Sequence, residues 1–587
     1  MYLEKLEIKN FRGIEKLELD FSEGLNVLIG ENNTGKTSIV EAIVLALSIG
    51  QQKKEVYMSV DDFFIDKNGN KKDEIEFSLT FSGLTEEEKG IYYEMLTFDP
   101  SLSSFKVKFK IRYKLKRDGG TEKVKFLGIF GSGQEGSYIP FDLMDLFNFV
   151  YLNALRDSEK DLRPQRGSRI AQLLLRLESS KEKQDAHAKR LTDRIKDDEE
   201  WMHLIEKGKS KINKHLKEVS LKGELNKVNL EFIPLEFSRL VENLQLILPY
   251  SSKEKNKTNE EIENNSINFT IEQIGLGYNN LIYISTVLGD LIERKKIEPS
   301  SYAALLIEEP EAHLHPQLQN VLFKYLENIE KEGIQVFVTS HSPTITAKTN
   351  LDSVIVLYKE KDNKISSLSL KNCSLSRKDR LFLQRFLDVT KAQLFFAKGI
   401  LLVEGISEAL LLPLFAKIMG EDYDLTKNGI EVVNINGVAF EPFAKLFNSD
   451  NPENRLNFRC AIITDDDRDT EGNLSDRAKK AKGLEGGNLK VFLLNHTFEY
   501  ELFIADKANG ELMKSIFRSF HKKSNIKGQT IEGEAMDLVN KLRQYKEKAL
   551  FAQELSYRLK DEAIRINFKV PAKIQEAIKW VVKGNER

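Results

Sequence analysis

The sequence predicts an α/β protein that contains two catalytic blocks. The first block opens with a strand, a glycine-bracketed loop and a helix, which is the order that a phosphate-binding loop needs. The second block begins at Gly399, where strand and helix patterns alternate again. The length of 587 residues predicts about three or four domains, or one large domain with insertions, and a hydrophobic content of 41% is enough to bury a core.

The charge and the cysteine content narrow the class of protein. With 88 Lys and Arg against 90 Asp and Glu, the net charge of −2 argues against a uniformly basic protein that coats nucleic acid, but it permits a locally basic channel. Two cysteines cannot build a disulfide scaffold or a four-cysteine zinc site. There is no apolar signal core and no uncharged apolar run of about 18–20 residues, so we expect a soluble cytoplasmic protein without a membrane span.

The phosphate-binding loop follows a strongly apolar segment. Residues 25–29 (LNVLI) predict a buried central strand, and residues 30–37 (GENNTGKT) then match G-x-x-x-x-G-K-[ST] in full. Glycines let backbone N–H groups cradle phosphates at a helix N-terminus, while Lys36 would reach the β- and γ-phosphates and Thr37 would hold Mg²⁺. The predicted nucleotide contacts in this segment are Gly30, Asn32, Asn33, Gly35, Lys36, Thr37 and Ser38.

A second apolar strand, predicted at residues 303–307, ends in an acidic pair. Carboxylates at the carboxyl end of a parallel strand suit Mg²⁺ binding and water activation. We therefore expect Glu308 to be the metal-side acid and Glu309 to be the general base for the attacking water. A third strand, predicted at residues 336–339, is followed by His341, which would sense the γ-phosphate; a lone histidine is otherwise more often structural.

Gly275 and Gly277 stand at the start of an apolar-periodic helix, where they suit anion binding or form an ordinary helix N-terminus. Together with Phe11-Arg12-Gly13, the motifs resemble the ATP-binding-cassette (ABC) ATPase heads of the RecF/SMC type. The resemblance implies that Gly275 and Gly277 of one head cap the ATP held by Lys36 of a second copy. Two features depart from this pattern: Glu308 replaces the usual Asp, and the transporter signature Ser-Gly-Gly-Gln is absent.

The second block contains its own set of carboxylates. An apolar strand at residues 400–403 leads to Glu404, and Glu408 follows one helical turn later. Another apolar strand leads to Asp465 and Asp467, which would share a side in extended backbone. Four carboxylates in one cavity suit Mg²⁺ or Mn²⁺, and two such ions about 3.5–4 Å apart can activate water against a phosphodiester. The alternative is an acidic surface turn.

This second pattern resembles the Toprim (topoisomerase–primase) fold. An ABC-type head joined to a C-terminal Toprim domain resembles the OLD (overcoming lysogenisation defect) family of ATP-dependent endonucleases. The likeness extends over nearly the whole chain and includes residues 305–316 (LLIEEPEAHLHP), 151–157 (YLNALRD) and 402–405 (LVEG). Members of this family often carry Glu-Glu-Pro, so the resemblance makes Glu308 the expected residue.

The resemblance implies further site residues. Residues 497–502 (TFEYEL) look like the family's T-x-E-x-[DE]-L segment, which makes Glu499 a further metal ligand and Glu501 a weaker candidate. Lys548 precedes Phe-Ala-Gln as in the family's K-G-x-F-A-Q and would stabilise charge on the scissile phosphate. Ala549 stands where glycine is common and Lys546 is nearby, so the choice of lysine stays open.

The expected organisation is an α/β chain: an ABC-type ATPase head with a helical insertion, followed by a parallel-sheet Toprim domain. The predicted bounds are 1–155 for the N-terminal part of the head, 156–245 for the insertion and candidate dimerisation region, 246–375 for the C-terminal part of the head, and 376–587 for the Toprim domain. A polar exposed loop is predicted at 251–266, and Arg156, Arg163, Arg166 and Arg169 are candidates to line a DNA path.

The resemblance implies a protein that hydrolyses ATP and cuts or nicks DNA in defence against phage or other foreign DNA. The implied cofactors are ATP with one Mg²⁺, and two Mg²⁺ or Mn²⁺ ions in the Toprim site. The implied partners are DNA, further copies of the chain and, in some relatives, a protein from a neighbouring gene. The alternative is a nucleotide-gated DNA-binding or signalling module with an inactive Toprim domain; strand passage or primer synthesis is a third class.

Overall fold

The computed structural model describes most of the chain. The described residues are 1–51, 54–100, 104–118, 120–131, 138–154, 158–219, 227–250, 267–312, 314–360, 362–437, 439–468 and 472–583. The predicted polar loop at 251–266 and the candidate Arg156 lie outside these residues.

The secondary structure confirms the predicted α/β class. The strands are β1 (Tyr2–Phe11), β2 (Ile14–Asp20), β3 (Leu25–Gly30), β4 (Glu74–Ser82), β5 (Leu96–Asp99), β6 (Ser104–Asp118), β7 (Thr121–Gly131), β8 (Phe147–Leu152), β9 (Ile247–Tyr250), β10 (Ile267–Thr270), β11 (Tyr302–Glu308), β12 (Gln335–Ser340), β13 (Val354–Lys359), β14 (Ile365–Ser369), β15 (Gly399–Val403), β16 (Ile430–Asn434), β17 (Arg459–Asp465) and β18 (Leu489–Leu494). The helices are α1 (Lys36–Leu47), α2 (Glu86–Ile91), α3 (Ser158–Leu162), α4 (Arg169–Leu177), α5 (Lys181–Lys196), α6 (Glu199–Val219), α7 (Phe237–Glu242), α8 (Leu276–Ile297), α9 (Pro316–Asn328), α10 (Pro343–Thr346), α11 (Arg377–Phe386), α12 (Val389–Ala392), α13 (Ile406–Met419), α14 (Glu441–Ala444), α15 (Asp476–Lys482), α16 (Phe498–Ile504), α17 (Lys507–Phe520), α18 (Ile531–Tyr545), α19 (Lys548–Arg558), α20 (Glu562–Arg565) and α21 (Ala572–Lys583).

The motifs of the first block lie on one largely parallel sheet, which we call the second sheet. Its order is β14-β13-β3-β12-β11-β8, and only β14 runs antiparallel to its neighbour. β3 lies between β13 and β12 with every residue buried, which confirms the predicted central strand. Because parallel strands end at the same edge, Gly30, Glu308 and Ser340 are brought to one side of the sheet.

An antiparallel sheet, the first sheet, packs over the other side of α1. Its order is β2-β1-β4-β6-β5, and β7 also pairs with β6. Its apolar face shares one core with α1 and the second sheet, through residues such as Phe77, Ile43 and Leu28. α1 is therefore covered from several sides, which explains why its sequence is apolar almost all round rather than amphipathic.

The segment predicted as a helical insertion contains the helices α3 to α7. α4 lies along α8 of the head, where the carboxylate of Asp290 is buried between two guanidinium groups. Arg176 of α4 pairs with one oxygen of Asp290, and Arg294 Nε lies 3.3 Å from the other. This shared carboxylate ties the insertion to the head; the predicted domain bounds themselves stay a prediction.

The third sheet has the order β16-β15-β17-β18 and is parallel throughout. One continuous apolar core contains Val27 of the second sheet as well as Leu402 and Ile462 of the third. The change of sheet near residue 375 is therefore not a break in packing. Of the helices that the structure describes, none combines the length and the apolar content that crossing a bilayer requires.

We expect Asp290→Ala to lower the free energy of unfolding by about 3 kcal/mol. This value is at the lower end of the range for removing one partner of a buried ion pair, because both guanidinium groups are partly exposed. The cost arises because Arg176 and Arg294 would face each other without their shared carboxylate. Urea unfolding followed by circular dichroism measures it. The matched control is Asp185→Ala, an exposed carboxylate paired with Lys181, for which we expect less than about 0.5 kcal/mol. Equal destabilisation of the two variants would contradict the role of Asp290.

Candidate functional site

The glycine-rich loop has the backbone geometry that a phosphate cradle needs. Gly30 has φ 149°, and a Cβ there would lie 2.2 Å from the carbonyl oxygen of Leu357, so only glycine fits. Lys36 is buried, and its Nζ donates to the carbonyl oxygens of Gly30 (2.9 Å) and Glu31 (2.7 Å). Burial lowers the pKa of Lys36 to about 8, which an anionic phosphate nearby would raise.

A cavity of about 340 Å³ opens beside this loop. It brings together side chains that the sequence predicts as one site, although they come from three strand ends. Its lining includes Asn33, Gly35, Lys36, Thr37, Ser38, Glu309 and His341. Asn32 is exposed beside the cavity and does not line it.

The predicted metal-side acid is held by two hydroxyl groups. Glu308 is buried at the end of β11, and its Oε2 accepts a hydrogen bond of 2.8 Å from Thr37 Oγ1. Its Oε1 accepts one of 2.6 Å from the Tyr151 hydroxyl on the neighbouring strand β8. Burial raises the pKa of Glu308, and the two hydroxyl donors act against that rise.

The predicted general base and sensor face each other across the cavity mouth. Glu309 has φ 44°, which is a sparsely populated conformation for a residue other than glycine, and its Oε1 lies 3.6 Å from His341 Nε2. The backbone N–H of His341 and the hydroxyl of Ser340 both donate to Glu311 Oε1, which anchors the end of β12. Burial, followed by the charge of Lys36, lowers the pKa of His341, and the carboxylate of Glu309 acts against that shift.

Gly275 and Gly277 do not line this cavity. Gly275 is the N-cap of α8, and a Cβ placed there would meet no atom within 4 Å. Leu276 and Tyr278 beside them are 54% and 57% exposed. The glycines thus lie on an open surface, and their role across a second copy stays a prediction.

The carboxylates of the second block converge at the carboxyl edge of the third sheet. Glu404 follows β15, Asp465 ends β17, and Glu408 and Glu499 lie in the first turns of α13 and α16. Burial, together with the nearby carboxylates of Glu404, Glu499 and Glu408, raises the pKa of Asp465 well above its usual range. Burial and two of the same neighbours raise the pKa of Glu408 to about 7. The structure therefore brings together four of the five carboxylates that the sequence predicts as metal ligands in the second block.

Cationic side chains of the protein itself neutralise part of this cluster. Arg477 Nη2 lies 2.7 Å from Glu404 Oε2, while the Thr464 hydroxyl donates to the other oxygen of Glu404. Lys548 Nζ lies 2.7 Å from Glu499 Oε2. Asp465 Oδ1 is buried and accepts no hydrogen bond from any described residue.

As the side chains stand, no group of three or more His, Cys, Asp or Glu in the described part of the chain is arranged to hold a metal ion. Two of the carboxylates are instead paired with cations of the chain, Glu404 with Arg477 and Glu499 with Lys548.

The extended backbone expected through Asp467 is wrong. β17 ends at Asp465, and Asp467 has φ 41°, so the alternation of a strand does not continue. Asp466 is fully buried and accepts hydrogen bonds from the backbone N–H of His496 and from Arg468, whereas Asp467 lies 3.5 Å from Arg543. The assignment of Asp467 as a metal ligand stays a prediction without this geometric support.

Several residues of the two sites were missed by the sequence analysis. Tyr151 lies in one of the segments that resemble the family, but its contact with Glu308 arises only because β8 pairs with β11. Arg477 lies beyond the acidic motif on a short helix, and no motif spacing points to it.

Glu501, which the sequence suggested as a weaker metal ligand, has another contact. Its carboxylate accepts a hydrogen bond from the backbone N–H of Asn495 and so stabilises the turn before α16.

Comparisons with known proteins agree with this division into two sites. The family described as "AAA ATPase domain" matches residues 1–266 and 144–346, and the family described as "Overcoming lysogenization defect protein-like, TOPRIM domain" matches residues 395–467. Domains of these two kinds use a nucleotide and a divalent metal in general.

Two relatives align over much of the chain. "Endonuclease GajA" of Bacillus cereus is 25% identical over 452 residues, which are 65% of this chain and 62% of that protein, so the chain spans less than two thirds of its length. "OLD nuclease" of Thermus scotoductus is 23% identical over 449 residues, which are 74% of this chain and 78% of that protein.

A solved structure, "C-terminal region of the Xanthomonas campestris pv. campestris OLD protein", is 26% identical. The match covers 33% of this chain and 97% of that chain, with a TM-score of 0.23.

The AAA ATPase domain family matches more than half of the chain. The chain therefore belongs to the AAA ATPase domain family, and its C-terminal part carries a TOPRIM domain of the overcoming lysogenization defect type.

Proposed function

We propose that the protein hydrolyses ATP in the first block and uses divalent metal ions to cut or nick DNA in the second. The proposed setting is defence against phage or other foreign DNA. One observation carries the nuclease assignment: four carboxylates converge on one edge of the TOPRIM sheet around Asp465, whose Oδ1 lacks a hydrogen-bond donor among the described residues. The names of the two relatives, an endonuclease and a nuclease, agree with it.

The donor set fits a hard divalent cation. Asp465, Glu404, Glu408 and Glu499 supply only carboxylate oxygens, which Mg²⁺ and Mn²⁺ prefer, and their mutual repulsion would be relieved by bound positive charge. We propose two ions held by these four residues. When bound, such ions supply Lewis-acid stabilisation and lower the pKa of a coordinated water.

Two cations of the chain are placed to act on the substrate. Lys548 and Arg477 each hold a carboxylate of the cluster, and both are partly exposed. Once metal ions neutralise the carboxylates, these side chains are free to bind non-bridging oxygens of a phosphodiester, where they would stabilise developing negative charge.

In the ATPase site each residue has a role that follows from its position. Lys36 and the loop backbone bind the phosphates, while Thr37 and Glu308 would hold Mg²⁺. Glu309 lines the cavity and accepts the proton of the attacking water, and His341 positions groups at the γ-phosphate. We further propose that Gly275 and Gly277 of a second copy complete this site, so that the working form is a dimer or higher oligomer.

Tyr151 is a positioning residue in this scheme. Its hydroxyl donates to Glu308 and so favours the ionised carboxylate, which burial disfavours. Without the hydroxyl, protons would compete more strongly with Mg²⁺ for Glu308.

The central test separates the two sites. Asp465→Asn should abolish divalent-metal-dependent nicking of supercoiled plasmid and leave ATP hydrolysis at the parental rate, because the TOPRIM edge does not contribute to the nucleotide cavity. Lys36→Ala should abolish ATP binding and hydrolysis. If Asp465→Asn cuts as well as the parent, the assignment fails. Robust ATP turnover without cleavage in Mg²⁺, Mn²⁺ or another divalent ion would instead support the module with an inactive TOPRIM domain.

A second test decides which lysine serves the TOPRIM site. We expect Lys548→Met to reduce the nicking rate about 10²–10³-fold, since it removes the ammonium group that faces the cluster. Lys546→Met is the matched control: Lys546 is exposed, sits at the C-cap of α18 with φ 59°, and should tolerate the change. The opposite ranking of the two variants would show that Lys546 is the functional residue.

A third test concerns Tyr151. Tyr151→Phe should raise the Mg²⁺ concentration for half-maximal ATP hydrolysis about 10–100-fold, with a larger effect at lower pH. The thermal unfolding midpoint serves as a check that the fold is intact. Tyr113→Phe removes the hydroxyl of another buried tyrosine, in the first sheet, and should leave the Mg²⁺ requirement unchanged. An unchanged requirement in Tyr151→Phe would remove the positioning role.

A further inference from the structure

The outer face of the first sheet carries an unusual row of cations. Alternate residues of β6 point away from the core, and six of them in succession are basic. Two lysines of β7 extend the row sideways. The eight residues are Lys106, Lys108, Lys110, Arg112, Lys114, Lys116, Lys123 and Lys125.

At the far end of this hairpin, four lysines face each other directly. Lys114 is the cross-strand partner of Lys125, and Lys116 is the partner of Lys123. All four side chains are exposed. We call this set the lysine ladder. Like charges directly opposite each other destabilise an antiparallel pair, so the fold alone does not account for this arrangement.

Acidic neighbours neutralise only part of the row. Glu76 of β4 pairs with Arg112 at 2.8 Å, and Glu74 pairs with Lys114 at 3.4 Å. Lys116, Lys123 and Lys125 form no ion pair with a described residue. On the neighbouring strands β1 and β2 the charges are mixed and mutually paired, for example Lys5 with Glu18 at 2.8 Å. The positive excess is therefore local to β6 and β7.

The chemistry of the row suits a polyanion rather than a protein partner. Lysine is depleted at protein–protein interfaces, whereas phosphate backbones are bound by Lys and Arg. From Lys106 to Lys116 the row runs roughly 34 Å at about 3.4 Å per residue. That length corresponds to about ten base pairs, or one turn, of duplex DNA.

Two of the arginines that the sequence suggested for a DNA path are already paired with carboxylates. Arg163 already pairs with Glu159 and lies 3.0 Å from Glu272, and Arg169 lies 3.9 Å from Glu55.

We propose that the lysine ladder is a docking surface for the phosphate backbone of duplex DNA. This inference rests on the proposed nuclease function for its choice of polyanion. Contacts with phosphates do not distinguish one base sequence from another. The ladder would therefore raise the affinity for duplex DNA equally for all sequences and make that affinity strongly dependent on salt.

The test is the affinity of the full chain for a 30-base-pair duplex, measured by fluorescence anisotropy in EDTA between 50 and 200 mM NaCl (roughly the range over which phosphate binding dominates). The variant replaces Lys114, Lys116, Lys123 and Lys125 with Gln. We expect at least a tenfold (~1 log unit) reduction of affinity at the lower salt concentrations, and a log–log salt slope that is shallower by roughly 3–4, about 0.9 for each phosphate that the variant no longer neutralises. ATP hydrolysis and the thermal unfolding midpoint should not fall, because the substitutions remove repulsion between exposed side chains.

The matched control replaces the exposed lysines Lys207, Lys211, Lys214 and Lys217 of α6 with Gln, which changes the net charge by the same amount. It should bind nearly as the parent does. An equal reduction of affinity in both variants would show diffuse charge attraction and overturn the proposal. Parental DNA affinity in the ladder variant would also overturn it and leave another polyanion, such as an acidic protein, as the ligand. DNA binding is measured in EDTA, where no cleavage occurs. If the ladder proves to bind DNA but the protein cuts no DNA with any divalent metal ion, the proposed nuclease function fails and the proposed role of the ladder stands.

Discussion

In two sheets of this protein, several carboxylates lie close together where parallel strands end, and they repel one another. Both candidate sites depend on how that repulsion is offset. In the head, Glu308 is buried at the end of β11 and Glu311 lies in the turn that follows, and hydroxyl and backbone donors offset the cost of removing their carboxylates from water. In the TOPRIM sheet, Arg477, Thr464 and Lys548 play that part for Glu404 and Glu499. Asp465 Oδ1 is left without a donor among the described residues. Glu311 Oε2 in the head is likewise buried without a donor among the described residues, so in both sites the chain offsets only part of the carboxylate charge.

The near-zero net charge conceals these local imbalances. Carboxylates concentrate at the two sheet edges, while cations concentrate on β6 and β7 of the first sheet. A net charge of −2 is therefore a sum over regions of opposite sign and does not describe any one surface. Concentrated charge of either sign destabilises a folded chain unless a ligand neutralises it. Each concentration in this chain thus points to a ligand of opposite charge: divalent cations at the TOPRIM edge and phosphates at the lysine ladder.

What the sequence could predict follows from the range of the interactions involved. β3, the loop at Gly30 and the strand before Glu308 are local patterns of apolar residues and glycine, and the structure confirms them. The position of Asp467 was not predictable from strand periodicity, because the strand ends at Asp465 and the next residues turn. Tyr151 and Arg477 reach their carboxylates only through strand pairing and helix placement, which are long-range. The alternation of lysines in β6 is visible in the sequence, but the register that sets Lys114 opposite Lys125 is not.

The two sites share more than a chain. Leu402, in the strand that precedes Glu404, belongs to the same apolar core as Val27, in the strand that precedes the phosphate-binding loop. At the surface, Lys398 Nζ lies 3.8 Å from Glu31 Oε2, so β15 begins beside the loop and ends at the TOPRIM carboxylates. Close-packed interiors transmit strain rather than absorb it. β15 is short and fully buried, and its residues Ile400 and Leu402 pack into the apolar core that the second and third sheets share. The candidate nucleotide site and the candidate TOPRIM site therefore lie in different sheets that one core joins.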